Sequence, residues 1–155
     1  MLFRSPQRDA LWLIRHHISE AQKHEGASIK HDVSVPVAAI PEFCERAGAL
    51  VTRIVPGIRV VAFGHVGDGN VHFNLSQPAG MAPSAFLDLW ETLATEVHGI
   101  AMALGGSFSA EHGIGLLKIR DLARWRGATE LALMRAVKQA VDPAGIMNPG
   151  KLLPG

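Results

Sequence analysis

Residues 63–74, Phe-Gly-His-Val-Gly-Asp-Gly-Asn-Val-His-Phe-Asn, constrain this chain more than any other stretch. β-Prone residues flank a Gly-Asp-Gly-Asn turn signal, with one histidine on each side. With residues 67–70 as the hairpin loop, Val66 pairs with Val71 and His65 falls opposite His72. Directly opposed residues share a sheet face with Cβ atoms about 4.5–5.5 Å apart, close enough for two imidazoles to hold one ion. Asn74 projects from the same face as His72, while Ala62, Val66, Val71, Phe73 and Leu75 point to the other. One face can pack and the other can do chemistry. A one-residue slip of register would separate the histidines, so everything rests on the turn.

The remaining sequence supplies helices to cover such a hairpin. Asp9 caps a predicted helix to about His24 with an apolar stripe at Leu11, Ile14, Ile18 and Ala21, and Arg15 and Ser19 pair at i, i+4 beside it. Residues 28–35 alternate as a strand, Ile29, Val33 and Val35 on one face and Lys30, Asp32 and Ser34 on the other, a pattern that an edge strand also explains. A second helix to about Ile54 carries Val37, Ile40, Phe43, Cys44, Ala47, Leu50, Val51 and Ile54 inward, with Pro41 in its first turn. A long helix over 84–104 turns Leu87, Trp90, Leu93, Val97, Ile100, Ala101 and Leu104 inward and leaves His98 on a flank. A short strand from Gly106 then enters a glycine-rich turn bearing Glu111 and His112. A short helix spans about 116–125, and a final one over 129–141 points Leu131, Met134, Val137, the Lys138 stem and Val141 inward. The tail from Asp142 is too punctuated for secondary structure. This order predicts an α+β fold, an antiparallel sheet with helices packed on one face and a ferredoxin-like split βαβ core.

Size and charge narrow the function classes. The 155 residues suit a single domain over 1–155, and 48% apolar against 19% charged residues favours a folded chain. A net charge of +1 gives no electrostatic case for nucleic acid. Cys44 is the only cysteine, which excludes an internal disulfide and any multi-cysteine metal site, and its place in an apolar stripe marks it as core. No run of about 18 or more apolar residues spans a membrane, and no secretory leader is evident. The expected location is cytoplasmic, or peripheral to the inner membrane.

Two histidines on one face need a third ligand. Glu111 is the best candidate, because its glycine-rich turn lets the carboxylate approach, and Asp68 is the alternative, although Asp in Gly-Asp-Gly is more often a turn former. Two imidazoles and a carboxylate with an open position suit catalytic zinc and equally the facial set of non-haem iron. A cross-strand histidine pair that merely hydrogen-bonds would look the same in sequence. The glycines at 64, 67 and 69 have the wrong order of spacings for a phosphate loop, and no helix follows them.

Three blocks carry a resemblance: residues 64–72 (Gly-His-Val-Gly-Asp-Gly-Asn-Val-His), 109–115 (Ser-Ala-Glu-His-Gly-Ile-Gly) and 142–151 (Asp-Pro-Ala-Gly-Ile-Met-Asn-Pro-Gly-Lys). Together with Arg15-x-x-Ile18-Ser19-Glu20-Ala21 and residues 30–36, they resemble the C-terminal domain of FAD-linked oxidases acting on D-2-hydroxy acids. That family includes D-lactate dehydrogenase, the glycolate oxidase flavin subunit and D-2-hydroxyglutarate dehydrogenase. The resemblance implies that His65, His72 and Glu111 hold a divalent metal, zinc or manganese. It implies that His112 contacts the substrate and takes the hydroxyl proton, while the α-hydrogen leaves as hydride to FAD. By the same matching Arg15, Ser19, Lys30 and Asn74 fall at the substrate and Asn148 near the flavin. Ser19 stands where some members have threonine, which keeps the hydroxyl. The planar fork of Arg15 and the point charge of Lys30 suit a substrate carboxylate.

Members of this family carry a separate FAD-binding domain N-terminal to this region, and no segment here reads as a pyrophosphate-binding loop. The partners expected are therefore a small 2-hydroxy-acid substrate, an FAD-binding domain, an electron-acceptor protein or quinone, and a homodimer. The chain alone is expected to bind metal weakly at best and to show no turnover. Two other classes compete: a stand-alone metal-dependent hydrolase at His65, His72 and Glu111, and an inactive remnant that dimerises through an apolar patch near residues 147–153.

Overall fold

The computed structural model describes residues 5–153. Its centre is a three-stranded antiparallel sheet of β1 (Ser28–Ser34), β2 (Arg59–His65) and β3 (Asn70–Ser76), in the order β1-β3-β2. Helix α2 (Ile40–Ile54) crosses from β1 to β2, so two parallel strands are separated by the antiparallel β3: a split βαβ unit. A fourth strand position beside β1 shrinks to one antiparallel bridge, where Ser34 and Ser107 exchange backbone hydrogen bonds of 3.0 and 2.8 Å. With that bridge the order follows the ferredoxin-like pattern, and the fold class is the α+β antiparallel sheet expected.

Period-two alternation decides which side of the sheet packs. Ile29 and Val33 of β1 and Val71, Phe73 and Leu75 of β3 are all buried on one face. Against them α2 places Phe43, Ala47 and Val51, and α4 (Trp90–Ala103) places Leu93, Val97 and Ala101. Pro41 lies in the first turn of α2, as expected. Cys44 is half-buried against this core, and burial pushes its thiol up, away from the reactive range. A second, smaller cluster of Phe108, Leu122 and Leu131 gathers the segment after the bridge with α5 (Ile119–Trp125) and α6 (Ala128–Val141).

Several expected packing positions fail. The predicted long helix divides into α3 (Pro83–Leu87) and α4, so Leu87 and Trp90 sit at the junction, 43% and 39% exposed. His98, expected on a flank, is buried between His31 and Phe108. On α6 only Leu131 is buried, and Val137 and Val141 face outward. Helix α1 (Ser5–Ala21) is the sharpest departure. It continues as a 3₁₀ turn (Gln22–Glu25), and none of its residues is buried; Ile14 is 67% exposed. The stripe was real in period, but only the turns around Arg15, Ile18 and Gln22 reach the sheet.

The hairpin itself forms with a different register. His65 pairs with Asn70 and Phe63 with His72. The cause is a 3₁₀ turn at Val66–Asp68 closed by Gly69, whose φ of 81° only glycine adopts cheaply. A Cβ there would also lie 2.0 Å from the Val35 carbonyl oxygen, so the turn packs flush against the end of β1. Val66 enters the turn, exposed, and does not pack. The shift is by two residues along the ladder, so His65 and His72 keep the same face as diagonal neighbours.

Candidate metal and substrate site

The uncovered sheet face carries a row of polar side chains in register. Lys30 on β1 pairs with Asn74 on β3, Asp32 with His72, and Ser34 with Asn70; across β3, Phe63 and His65 of β2 complete the row. Two segments close over it. The end of α1 brings Arg15 and Ser19, with the Arg15 guanidinium 4.7 Å above the Phe63 ring, a cation–π contact. The turn after Ser107 brings Glu111 and His112, both exposed.

Three donors converge at one end of the row. His65 Nδ1 is 2.7 Å from Glu111 Oε1, and His72 Nε2 is 3.8 Å from Glu111 Oε2. One ligand atom from each residue lies within 4.8 Å of the other two. Two imidazoles and a carboxylate at such separations fit a divalent ion with positions left open, as in catalytic zinc sites. Asp68, the alternative carboxylate, accepts the Asn70 N–H at 3.0 Å and serves the turn. A second group of Asp32, His72 and His112 meets the same distance limit.

Beside this cluster is a cavity of about 310 Å³ lined by Arg15, Ser19, Lys30, His31, Phe63, His72, Asn74, Glu111 and His112. All five residues expected at a substrate therefore share one cavity, and two expected metal ligands form its wall. Asn148 is elsewhere. It lies in the tail with φ of 48°, beside Lys151 and Met147 in a separate cleft. Asp142 holds that tail to α6, accepting the Ile146 and Met147 N–H groups at 3.0 Å each.

Two buried groups around the cavity, Asp32 and Gln22, were not singled out from sequence. Asp32 is 1% exposed and accepts the Glu111 and His112 N–H groups at 2.8 Å each and Asn70 Nδ2 at 2.9 Å. Burial opposes its charge, but the backbone donors of His112 and Glu111 outweigh it and hold the carboxyl below its usual range. Burial pushes the His72 imidazole down, although Asp32 and Glu111 pull the other way. Gln22 accepts from Asn74 Nδ2 at 3.0 Å, which ties the end of α1 to the central strand. The alternation in residues 28–35 had already set Asp32 and Lys30 on one face; what would have marked Asp32 is its place opposite a histidine.

The chain is thus an α+β domain whose sheet has one packed face and one polar face, the polar face bearing a two-histidine, one-carboxylate cluster beside a cavity lined by Arg15 and Lys30. The chain belongs to the family described as FAD linked oxidases, C-terminal domain, which it matches over residues 4–152. It is 40% identical over 146 residues to the D-2-hydroxyglutarate dehydrogenase of Stutzerimonas stutzeri (strain A1501), covering 94% of this chain and 31% of that protein. It is 38% identical over 147 residues to the mitochondrial D-2-hydroxyglutarate dehydrogenase of Danio rerio, covering 94% and 26%. To the mitochondrial enzyme of Arabidopsis thaliana it is 36% identical over 148 residues, covering 96% and 25%. The chain thus spans roughly a quarter to a third of the length of these relatives. Two of these relatives are named mitochondrial, which does not fit a plain cytoplasmic assignment for the group. Among the described residues no helix is long and apolar enough to cross a membrane.

Proposed function

We propose that this chain is the substrate- and metal-binding part of a flavin-dependent dehydrogenase that oxidises a D-2-hydroxy acid to the 2-oxo acid. The observation that carries the reading is the single cavity that unites Arg15, Ser19, Lys30, Asn74 and His112 with His72 and Glu111. Family membership and the names of its relatives favour 2-hydroxyglutarate over lactate or glycolate.

In this reading Arg15 and Lys30 bind carboxylate, with the Arg15 guanidinium resting 4.7 Å over the Phe63 ring. Ser19 and Asn74 orient the substrate by hydrogen bonds, Asn74 being itself fixed by Gln22. His65, His72 and Glu111 would hold a divalent cation, zinc or manganese, which would supply Lewis-acid acidification of the substrate hydroxyl. His112 takes that proton, and its exposed ring can pass it to solvent. FAD, when bound, would supply the acceptor for the α-hydrogen as hydride. A flavin-binding part would hold FAD, with Asn148 near it. The outward strip of Leu133, Val137 and Val141 on α6, with Ile146 and Met147 of the tail, offers an apolar surface for that part to cover. The same strip is what a dimerising remnant would display, and sedimentation of the chain alone separates the two: a monomer favours the dehydrogenase reading.

The direct test is binding of D-2-hydroxyglutarate to the zinc-loaded chain, followed by NMR shifts of the His112 ring and Asn74 amide. Saturable shifts, absent with the L-isomer and in Arg15→Ala, are expected. Equal response to both isomers, or turnover of simple esters by the zinc-loaded chain, would overturn the reading in favour of a hydrolase.

A further inference from the structure

Glu111 and His112 pose a structural problem. Their side chains are exposed, His112 stacking its ring on His72 at 5.9 Å and Glu111 reaching His65, and the turn that carries them needs an anchor to β1 and β3. The anchor is Asp32. Its Oδ2 accepts both of their backbone N–H groups at 2.8 Å, and its backbone carbonyl accepts the Ala110 N–H at 3.2 Å. Three consecutive residues of the turn are thus fixed to one residue of β1. The other carboxylate oxygen, Oδ1, accepts from Asn70 Nδ2 at 2.9 Å and stands 3.6 Å from His72 Nδ1. That side of the His72 ring faces an anion, and the opposite nitrogen, Nε2, faces Glu111. Oδ2 also lies 3.6 Å from His112 Nδ1.

We propose that Asp32 is the positioning residue of this site: a buried carboxylate that places the Glu111–His112 segment through its backbone and sets the tautomer of His72. An anion beside Nδ1 favours the N–H there and leaves the Nε2 lone pair free for a metal, the second-layer arrangement of carboxylate, histidine and ion. The register explains why this residue serves: Asp32 is directly opposite His72 in the β1–β3 ladder, so the two share a face without any backbone distortion. A buried charge with no further duty would be costly, and the three hydrogen-bond donors around it offset that cost while aiming it at two imidazoles. This inference rests on the metal-binding reading of His65, His72 and Glu111.

Asp32→Asn separates the charge from the scaffold. The amide oxygen can still accept both backbone N–H groups, and Asn70, whose Oδ1 has no partner, can flip to accept from the new amide. Cobalt(II) titrated into the 155-residue chain, followed by its visible absorption, is the readout. Asp32→Asn is expected to fold with a near-normal thermal transition and to bind cobalt about 10–100-fold more weakly, with an altered band shape. Wild-type affinity and spectrum in Asp32→Asn would overturn the proposal. The tautomer is read without any mutation, from nitrogen-15 shifts of His72 in the metal-free chain at alkaline pH. The Nδ1–H form is expected, and an Nε2–H form would overturn the proposal even if Asp32→Asn fails to fold. Glu111→Gln and His65→Ala are the controls. If both bind cobalt like the wild type, the metal reading itself has failed; if both lose it while Asp32→Asn does not, only the role of Asp32 has failed.

Discussion

The two faces of the sheet divide the labour of this molecule. On one face Phe73, Leu75, Ile29 and Val33 are sealed by α2 and α4. On the other, His72, Asn74, Lys30 and Asp32 are covered only by the end of α1 and the 107–118 segment. Consecutive residues of β3 therefore belong to different problems: Phe73 to the core, His72 to the proposed metal site. Because strand side chains alternate, the site can be polar and open while the same strands anchor the core. The least buried elements that line it are on the open side. Arg15 and Ser19 sit on a helix with no buried residue, and Glu111 and His112 on a turn held mainly by backbone hydrogen bonds.

Substituting neighbours on β3 tests that division most strongly. Phe73→Ala should cost about 3–5 kcal/mol in urea unfolding, a large share of the stability of a domain this size. His72→Ala should cost less than about 1 kcal/mol while removing metal binding. Comparable losses from both would mean that the faces are not independent.

Acid should reach the packed face through His31. Its ring is buried, its Nδ1–H donates to the Phe73 carbonyl at 2.8 Å, and it faces His98 on α4, with Asp121 and Lys118 of the α5 region near it. Burial pushes its pKa down to about 4 from 6.5, against a smaller upward pull from the Phe73 carbonyl. Because the folded value is the lower one, this stability is fully present above pH 6.5 and is lost as pH falls from 6.5 towards 4. The slope from this group is about 1.4 kcal/mol per pH unit within that window. A His31→Gln chain should show a flatter stability–pH profile there; an unchanged profile would remove His31 as the source.

At the hinge between faces, Gly69→Ala should destabilise by about 1–3 kcal/mol, through its positive φ and its approach to Val35, and should weaken metal binding by displacing His65. The smallest stability effect belongs to the open side: Arg15→Ala should change unfolding by less than about 0.5 kcal/mol, while weakening binding of D-2-hydroxyglutarate to the zinc-loaded chain by tenfold or more.

Much of this division was legible in the sequence. The alternation in β1 and β3, the turn glycines and the period of α2 each carry a local physical cause, and they led to the sheet, its polar face and its helical cover. Parity made the histidine pair robust, since a two-residue shift in register leaves both on one face. What stayed hidden was tertiary. The stripe of α1 has helical period whether or not anything covers it, and Val137 and Val141 on α6 show the same. Asp32 looked like an edge-strand polar residue because nothing local reveals that the 109–113 turn will fold back over it. His98 gave no sign of burial, since its neighbours are His31 on the distant strand β1 and Phe108 from the segment that folds back after α4.

The central claim is that His65, His72 and Glu111 form one metal site within this chain. Calorimetric titration of zinc into the 155-residue chain near neutral pH tests it most directly. Weak one-to-one binding is expected, lost in His72→Ala and in Glu111→Gln and retained in Asp68→Asn. Zinc uptake unchanged by the first two substitutions, or abolished by the third alone, would contradict it.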